Sequence, residues 1–213
     1  MGGDGDTTTR RVLIARHPET VANREGRYIA EADSPYTPRG ARQAASLARC
    51  IGAFRPDAVL ASPARRALEP ASSGAAAAGA RLLVEERLRE VGWGDAEGLT
   101  YAEVRRAGVP MDYLGGPDAG EIAGGGESWA SFTRRIREAA GLIAEAGERV
   151  AVVTHGGVVR ALLVTWLGLP AEAAWRFAIR PASVTVVKLA DGHGALEVFG
   201  MTPGTCVRTP GRD

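Results

Sequence analysis

The chain has 213 residues, with 26 lysines and arginines against 25 acidic residues and a formal net charge of +1. A balance so close to neutral gives no general attraction to nucleic acid or to a membrane surface, and the apolar runs are far too short to span a bilayer. The length suits one domain with a sizeable core. The polar, glycine-rich start shows no signal-peptide pattern, so a cytoplasmic protein is expected. The two cysteines, Cys50 and Cys206, lack zinc-ligand spacing. Cys50 falls in a helical pattern and reads as a small buried residue rather than a reactive thiol. Neither a metal nor another cofactor is expected.

Residues 1–10 read as a disordered tail, 11–200 as a single domain and 201–213 as a loose tail. Val12–Ala15 is a short apolar run that predicts a buried strand. The stretch from His17 to Tyr36 is long for a connection in a compact domain, which already points to function. Thr37-Pro38 opens a helix, with threonine as cap and proline at the first helical position. Ala41, Ala44, Leu47, Ala48 and Ile51 mark its buried side. Asp57–Ala61 predicts the second strand, and Ser62-Pro63 the start of the next helix, which Pro70 should kink or end. Leu82–Val84 reads as a short strand and Leu88–Gly98 as a charged loop. Thr100 caps a short helix to Ala107. Gly108–Gly126, with Pro110 and Pro117, reads as a loop or lid. Glu127–Ala146 has the spacing of a long amphipathic helix along Trp129, Phe132, Ile136, Ala140 and Ile143. Val150–Thr154 predicts another strand, Gly156–Leu167 the helix after it, and Pro170 a further short helix. Ser183–Leu189 and Leu196–Phe199 read as a hairpin around Asp191-Gly192-His193-Gly194. Strands alternating with helices and a closing hairpin predict an α/β protein. The expected architecture is a three-layer α/β/α sandwich with a mostly parallel central sheet and an antiparallel edge strand.

Two of the three histidines stand at the carboxyl ends of apolar strands, in Ala15-Arg16-His17-Pro18 and Val153-Thr154-His155-Gly156. Ligands of open α/β sheets bind outside those ends. His193 sits in the expected turn and reads as structural. Arg16 adjoins His17, and Arg66 opens the helix after the second strand. Arginine offers a rigid fork of donors suited to phosphate oxygens, and the helix starts after Ser62 and His155 add backbone N–H groups for an anion. Arg65 reads as part of a solvated face. The residues together predict an anionic group held between histidines and arginines.

Arg16-His17-Pro18-Glu19-Thr20 with Asn23 resembles the Arg-His-Gly-x-Thr-x-x-Asn signature of the histidine phosphatase superfamily, the phosphoglycerate mutase-like group. The likeness continues through Gly26-Arg27, Asp33, Pro35, Thr37, Gly40 and Gln43-Ala44, and through Ser62-Pro63-Ala64-Arg65-Arg66-Ala67. It goes on in Leu88-Arg89-Glu90, Gly94-Asp95-Ala96-Glu97-Gly98, Gly126-Glu127-Ser128 and His155-Gly156-Gly157. The resemblance implies that His17 is the nucleophile that takes up the phosphoryl group. Arg16, Arg66 and His155 would surround the phosphate, with Asn23 and Gly156 in the binding site. Glu90 would give a proton to the leaving oxygen and later activate water. Histidine attacks only when neutral, and Arg16 and Arg66 would favour that form. The sequence departs from the pattern at Pro18, where the family has glycine, at Pro70 and at Ala96.

These features predict a metal-independent phosphomonoesterase acting on a small phosphate ester. The alternatives are a phosphoglycerate-type mutase and a non-catalytic phosphate-binding or interaction module. Near the mouth, Arg105 and Arg106 are offset by Asp112, Asp118 and Glu121, which disfavours a second anionic group. Trp93, Tyr101, Tyr113 and Trp129 could instead pack on a sugar, ring or chain. No nucleic-acid or membrane partner is expected, and a homodimer is possible.

Overall fold

The computed structural model describes residues 9–112, 120–190 and 193–206. Six strands form one sheet: β1 (Arg10–Arg16), β2 (Ala58–Ala61), β3 (Arg81–Val84), β4 (Arg149–Thr154), β5 (Val184–Ala190) and β6 (His193–Met201). Their order is β3-β2-β4-β1-β5-β6. β1 to β4 run parallel, β5 is antiparallel to β1, and β6 is antiparallel to β5. Both faces of β1 are covered, as its unbroken apolar run requires. Val12 and Ile14 join one core, Leu13 and Ala15 the other. Helices α2 (Pro38–Phe54) and α3 (Arg65–Ala78) cover one face, and α5 (Trp129–Glu145) and α6 (Gly156–Trp166) cover the other. The short helices α1 (Val21–Glu25) and α4 (Tyr101–Ala107) lie in the connections. This is the expected three-layer sandwich.

Pro70 does not break its helix: α3 runs unbroken across it. Proline lacks the N–H that would reach the carbonyl of Arg66, four residues earlier. The Tyr36 hydroxyl donates to that carbonyl instead, at 2.8 Å, so the acceptor is satisfied and the turn stays closed. Nor does α3 begin at Ser62-Pro63. Its first helical residue is Arg65, and Ala64 stands at the cap position with no side-chain hydrogen bond. The short helix after Pro170 is a 3-10 turn over Ala171–Arg176.

The termini also differ from expectation. Arg10 already belongs to β1, where it pairs with Leu189 of β5. At the other end Met201 is still in β6, and buried Cys206 forms a disulfide with buried Cys50 of α2 across a Cα–Cα distance of 5.3 Å. The stretch after residue 200 is therefore tied down through Cys206. Two cysteines 156 residues apart give no local sign of such pairing. Residues 1–8, 207–213, Asp191, Gly192, Tyr113, Pro117 and Asp118 lie outside the described residues. Among the described residues no helix is long and apolar enough to cross a membrane.

Candidate active site

β1 and β4 are parallel neighbours in which Arg16 faces Thr154, so the next residue of each is a histidine. The His17 N–H donates to the Thr154 carbonyl at 2.8 Å, and the two imidazole rings lie 5.2 Å apart, edge to face. The segment after His17 is clamped to the start of α2. The Glu19 N–H donates to Gln43 Oε1, the Thr37 N–H donates to the Glu19 carbonyl, and the Thr37 hydroxyl donates to the Glu19 carboxylate. A Cβ at Gly40 would overlap the Glu19 carbonyl oxygen, so this approach admits only glycine.

His17 is buried, and its Nδ1 lies 2.7 Å from the Pro18 carbonyl oxygen. A carbonyl only accepts, so Nδ1 carries the hydrogen and Nε2 of the neutral ring carries the lone pair. Proline at position 18 thus keeps the backbone group that orients His17 and gives up only an N–H. Burial first, then Arg16 and Arg66, hold the His17 pKa well below the ordinary histidine value. His155 is lowered likewise, by burial and then by His17, Arg66 and Arg16. Both rings are therefore neutral at neutral pH. His155 Nε2 meets the Ser62 hydroxyl at 2.7 Å, and the Ala64 N–H also donates to that oxygen. Ser62, for which the sequence suggested no role of its own, is thus the residue that orients His155.

Two nitrogens of this cluster, Arg16 Nε and His155 Nδ1, are buried and make no hydrogen bond within the protein. Arg16 Nε is a donor, and His155 Nδ1 is one in the tautomer whose Nε2 accepts from the Ser62 hydroxyl; leaving a buried donor unmet costs about 1–3 kcal/mol. Arg16 Nη1 is anchored on the Ile179 carbonyl at 2.8 Å. Arg66 lies in the first turn of α3, and its guanidinium donates to the carbonyls of Ile29, Ala30 and Ala32. Glu97 takes the N–H groups of Ala30, Glu31 and Ala32 from the same loop. Burial lowers the pKa of both arginines, and Glu90 acts against that.

Glu90 is held by its backbone and by its carboxylate. The Thr154 hydroxyl donates to the Leu88 carbonyl. Arg135 of α5, paired with Glu127 at 2.7 Å, donates to the carbonyls of Arg87, Arg89 and Glu90. Glu90 Oε1 accepts from the N–H groups of Val91 and Gly157, both at 3.1 Å. At the start of α6, where backbone N–H groups were expected to face an anion, the Gly157 N–H meets the Glu90 carboxylate. A Cβ at Gly157 would lie 2.5 Å from Oε1. Arg160, one turn on, donates through Nε to the Phe177 carbonyl and lies over the Trp175 ring at 5.2 Å.

His17, His155, Arg16, Arg66 and Glu90 thus come together from four separate segments, with Gly156 beside the Arg16 guanidinium. Asn23 is engaged locally. Its Oδ1 accepts from the Thr20 N–H in a capping box, which leaves only its amide N–H groups to offer a ligand. Glu121 holds the Gly125 N–H, and Tyr101 is exposed and stacks near Arg105. Neither joins the cluster. Sequence reasoning gave no roles to Glu97, Arg135, Glu127, Ser62 and Arg160. The motifs around Glu97 and Glu127 carried a signal, whereas Arg135 and Arg160 have no local one. Among the described residues no three of His, Cys, Asp and Glu gather as metal ligands would.

Residues 12–202 match the profile of the histidine phosphatase superfamily, branch 1. The chain is 32% identical to an acid phosphatase of Mycobacterium tuberculosis, with 90% of this chain and 93% of that one covered. It is 33% identical to a probable phosphoglycerate mutase of Yersinia enterocolitica over 83% of this chain and 84% of that one. Among solved structures, a mycobacterial glucosyl-3-phosphoglycerate phosphatase in complex with VO3 is similar at a TM-score of 0.76. That likeness holds at 27% identity, over 90% of this chain and 99% of that one. Sheet order, the paired strand-end histidines and the profile match agree: the chain belongs to the histidine phosphatase superfamily.

Proposed function

We propose that this protein is a phosphomonoesterase that works through a phosphohistidine on His17. His17 Nε2 attacks phosphorus, and the bond from phosphorus to the ester oxygen breaks. Glu90 gives that oxygen its proton from Oε2, the carboxylate oxygen less committed to backbone N–H groups. Water then attacks the phosphohistidine, Glu90 takes a proton from it, and orthophosphate leaves with His17 restored. Arg16 and His155 meet the phosphoryl oxygens through the two nitrogens that have no partner in the protein, and Arg66 adds positive charge. Such donors, fixed before the reaction, are what phosphoryl transfer demands. The observation that carries this reading is the neutral His17 ring, locked through Nδ1 with Nε2 left to attack.

The test is phosphate release from a panel of phosphomonoesters in excess EDTA, for the parent and His17→Ala. Release that survives EDTA and falls at least about 10⁴-fold in the variant is expected. Activity lost with EDTA, or retained by His17→Ala, would contradict the proposal. A mutase, the reading that the Yersinia relative's name favours, would move phosphate between positions with little net release.

A further inference from the structure

A groove of about 240 Å³ opens beside Glu90 on the α5 and α6 side of the sheet. Its catalytic end is formed by Val91, which follows Glu90, by Gly157, whose N–H holds the Glu90 carboxylate, and by Arg160. From there it follows one face of α6, along Arg160, Ala161, Val164 and Thr165. Helical spacing puts these residues in line, and from Gly157 to Thr165 the run is about 12 Å long. Trp129, Phe132 and Ile136 of α5 form the opposite wall, and Trp175 lies near the Arg160 end. Among the described residues the lining has two arginines, Arg137 and Arg160, and no carboxylate.

Phosphoryl transfer sets the direction in which the substrate must extend. The attacking His17 and the leaving oxygen lie roughly in line across phosphorus. On the phosphomonoesterase reading the leaving oxygen sits at Glu90, and the alcohol portion departs from beside its carboxylate, which the Gly157 N–H contacts. That is where the groove begins. We infer that the groove takes the alcohol portion of the substrate, and that this portion is an extended apolar chain. The inference rests on the phosphomonoesterase reading for its direction and on the groove lining for its chemistry. Arg160 joins the two, with its guanidinium near Gly156 and its side chain lining the groove.

The test is a series of n-alkyl phosphates from ethyl to octyl, kept below micelle-forming concentrations. Their leaving alcohols are of equal acidity, so chemistry alone predicts equal rates. A half-open groove that buries each methylene should raise kcat/KM about twofold per carbon, about 60-fold from ethyl to octyl. Thr165→Trp, at the exposed rim, should shrink the ratio of octyl to ethyl. Binding is read separately. Three of the four tryptophans, Trp93, Trp129 and Trp175, line the groove, so octylphosphonate should change tryptophan fluorescence and methylphosphonate should not. Ethyl and octyl phosphate cleaved alike, with no fluorescence response, would overturn the groove and leave the phosphatase reading intact. Octylphosphonate bound, and bound more weakly by Thr165→Trp, with no ester cleaved, would uphold the groove and overturn the phosphatase. Neither cleavage nor binding would overturn both.

Discussion

The two sides of Glu90 are built on different principles. On the phosphate side, His17, His155, Arg16 and Arg66 are buried or nearly so and fixed by backbone groups and one hydroxyl. The Pro18, Ile179 and Ala30 carbonyls and the Ser62 hydroxyl each hold one of them. On the groove side the walls are apolar side chains on α5 and α6, open at a rim that includes Thr165. The difference separates chemistry from selection. Charge stabilisation needs donors that do not move as the reaction proceeds. Apolar burial is non-directional and tolerates exchange of one side chain for another. Changes on the phosphate side should therefore cost rate for every ester, and changes in the groove should cost rate only for some.

Glu90→Gln should have the largest effect beyond loss of the nucleophile, about 10²–10⁴-fold in kcat on alkyl phosphates. The loss should shrink on p-nitrophenyl phosphate, whose leaving oxygen needs no proton. An equal loss on both would remove Glu90 from the proton-donor role. Gly157→Ala sits on the boundary between the two sides. Its Cβ would press on Glu90 Oε1, so kcat should fall about 10²-fold, as expected for a displacement near 1 Å. Helix propensity favours alanine by about 1 kcal/mol, so denaturant unfolding should show no loss of stability. A parallel loss of fold and activity would mean the effect is not positional.

Acid should weaken the phosphate side before the groove. His17 and His155 have folded pKa values held well below 6.5, chiefly by burial. As pH falls below 6.5 the unfolded histidines take up protons that the folded ones refuse. Stability is therefore full above that pH and is lost below it, until the folded rings titrate. The slope approaches about 2.7 kcal/mol per pH unit for the pair. Urea unfolding at several pH values measures it, and Ser62→Ala with His155→Gln should halve the slope. A flat profile between pH 6.5 and 5 would contradict two buried neutral rings.

Much of the phosphate side was legible in the sequence because its residues sit at strand ends inside short motifs. Arg16-His17 and Thr154-His155 each follow an apolar run, and parallel pairing of β1 with β4 brings them together. What was not legible depends on partners far along the chain. Pro70 stays within α3 because Tyr36 supplies a donor to Arg66. Cys206 is anchored because α2 presents Cys50. Glu90 is aimed by Arg135, 45 residues later. The groove was only partly legible: Trp93 and Trp129, offered by the sequence as residues to pack on a substrate, do line it, but its extent was hidden. Trp129, Phe132 and Ile136 show the spacing of ordinary core residues, and they do belong to the core. Only the three-dimensional gap between α5 and α6 shows that one of their faces is left open.

The most direct test of the central claim is rapid-quench trapping of the phosphoenzyme. The parent should carry up to one phosphoryl group per chain, labile in acid and stable in base, as a phosphoramidate is. Peptide mapping should place it on His17. His155→Ala should still form it, more slowly, and His17→Ala should not form it at all. Steady turnover with no trapped phosphoryl group, or a group mapped to any other residue, would contradict the account.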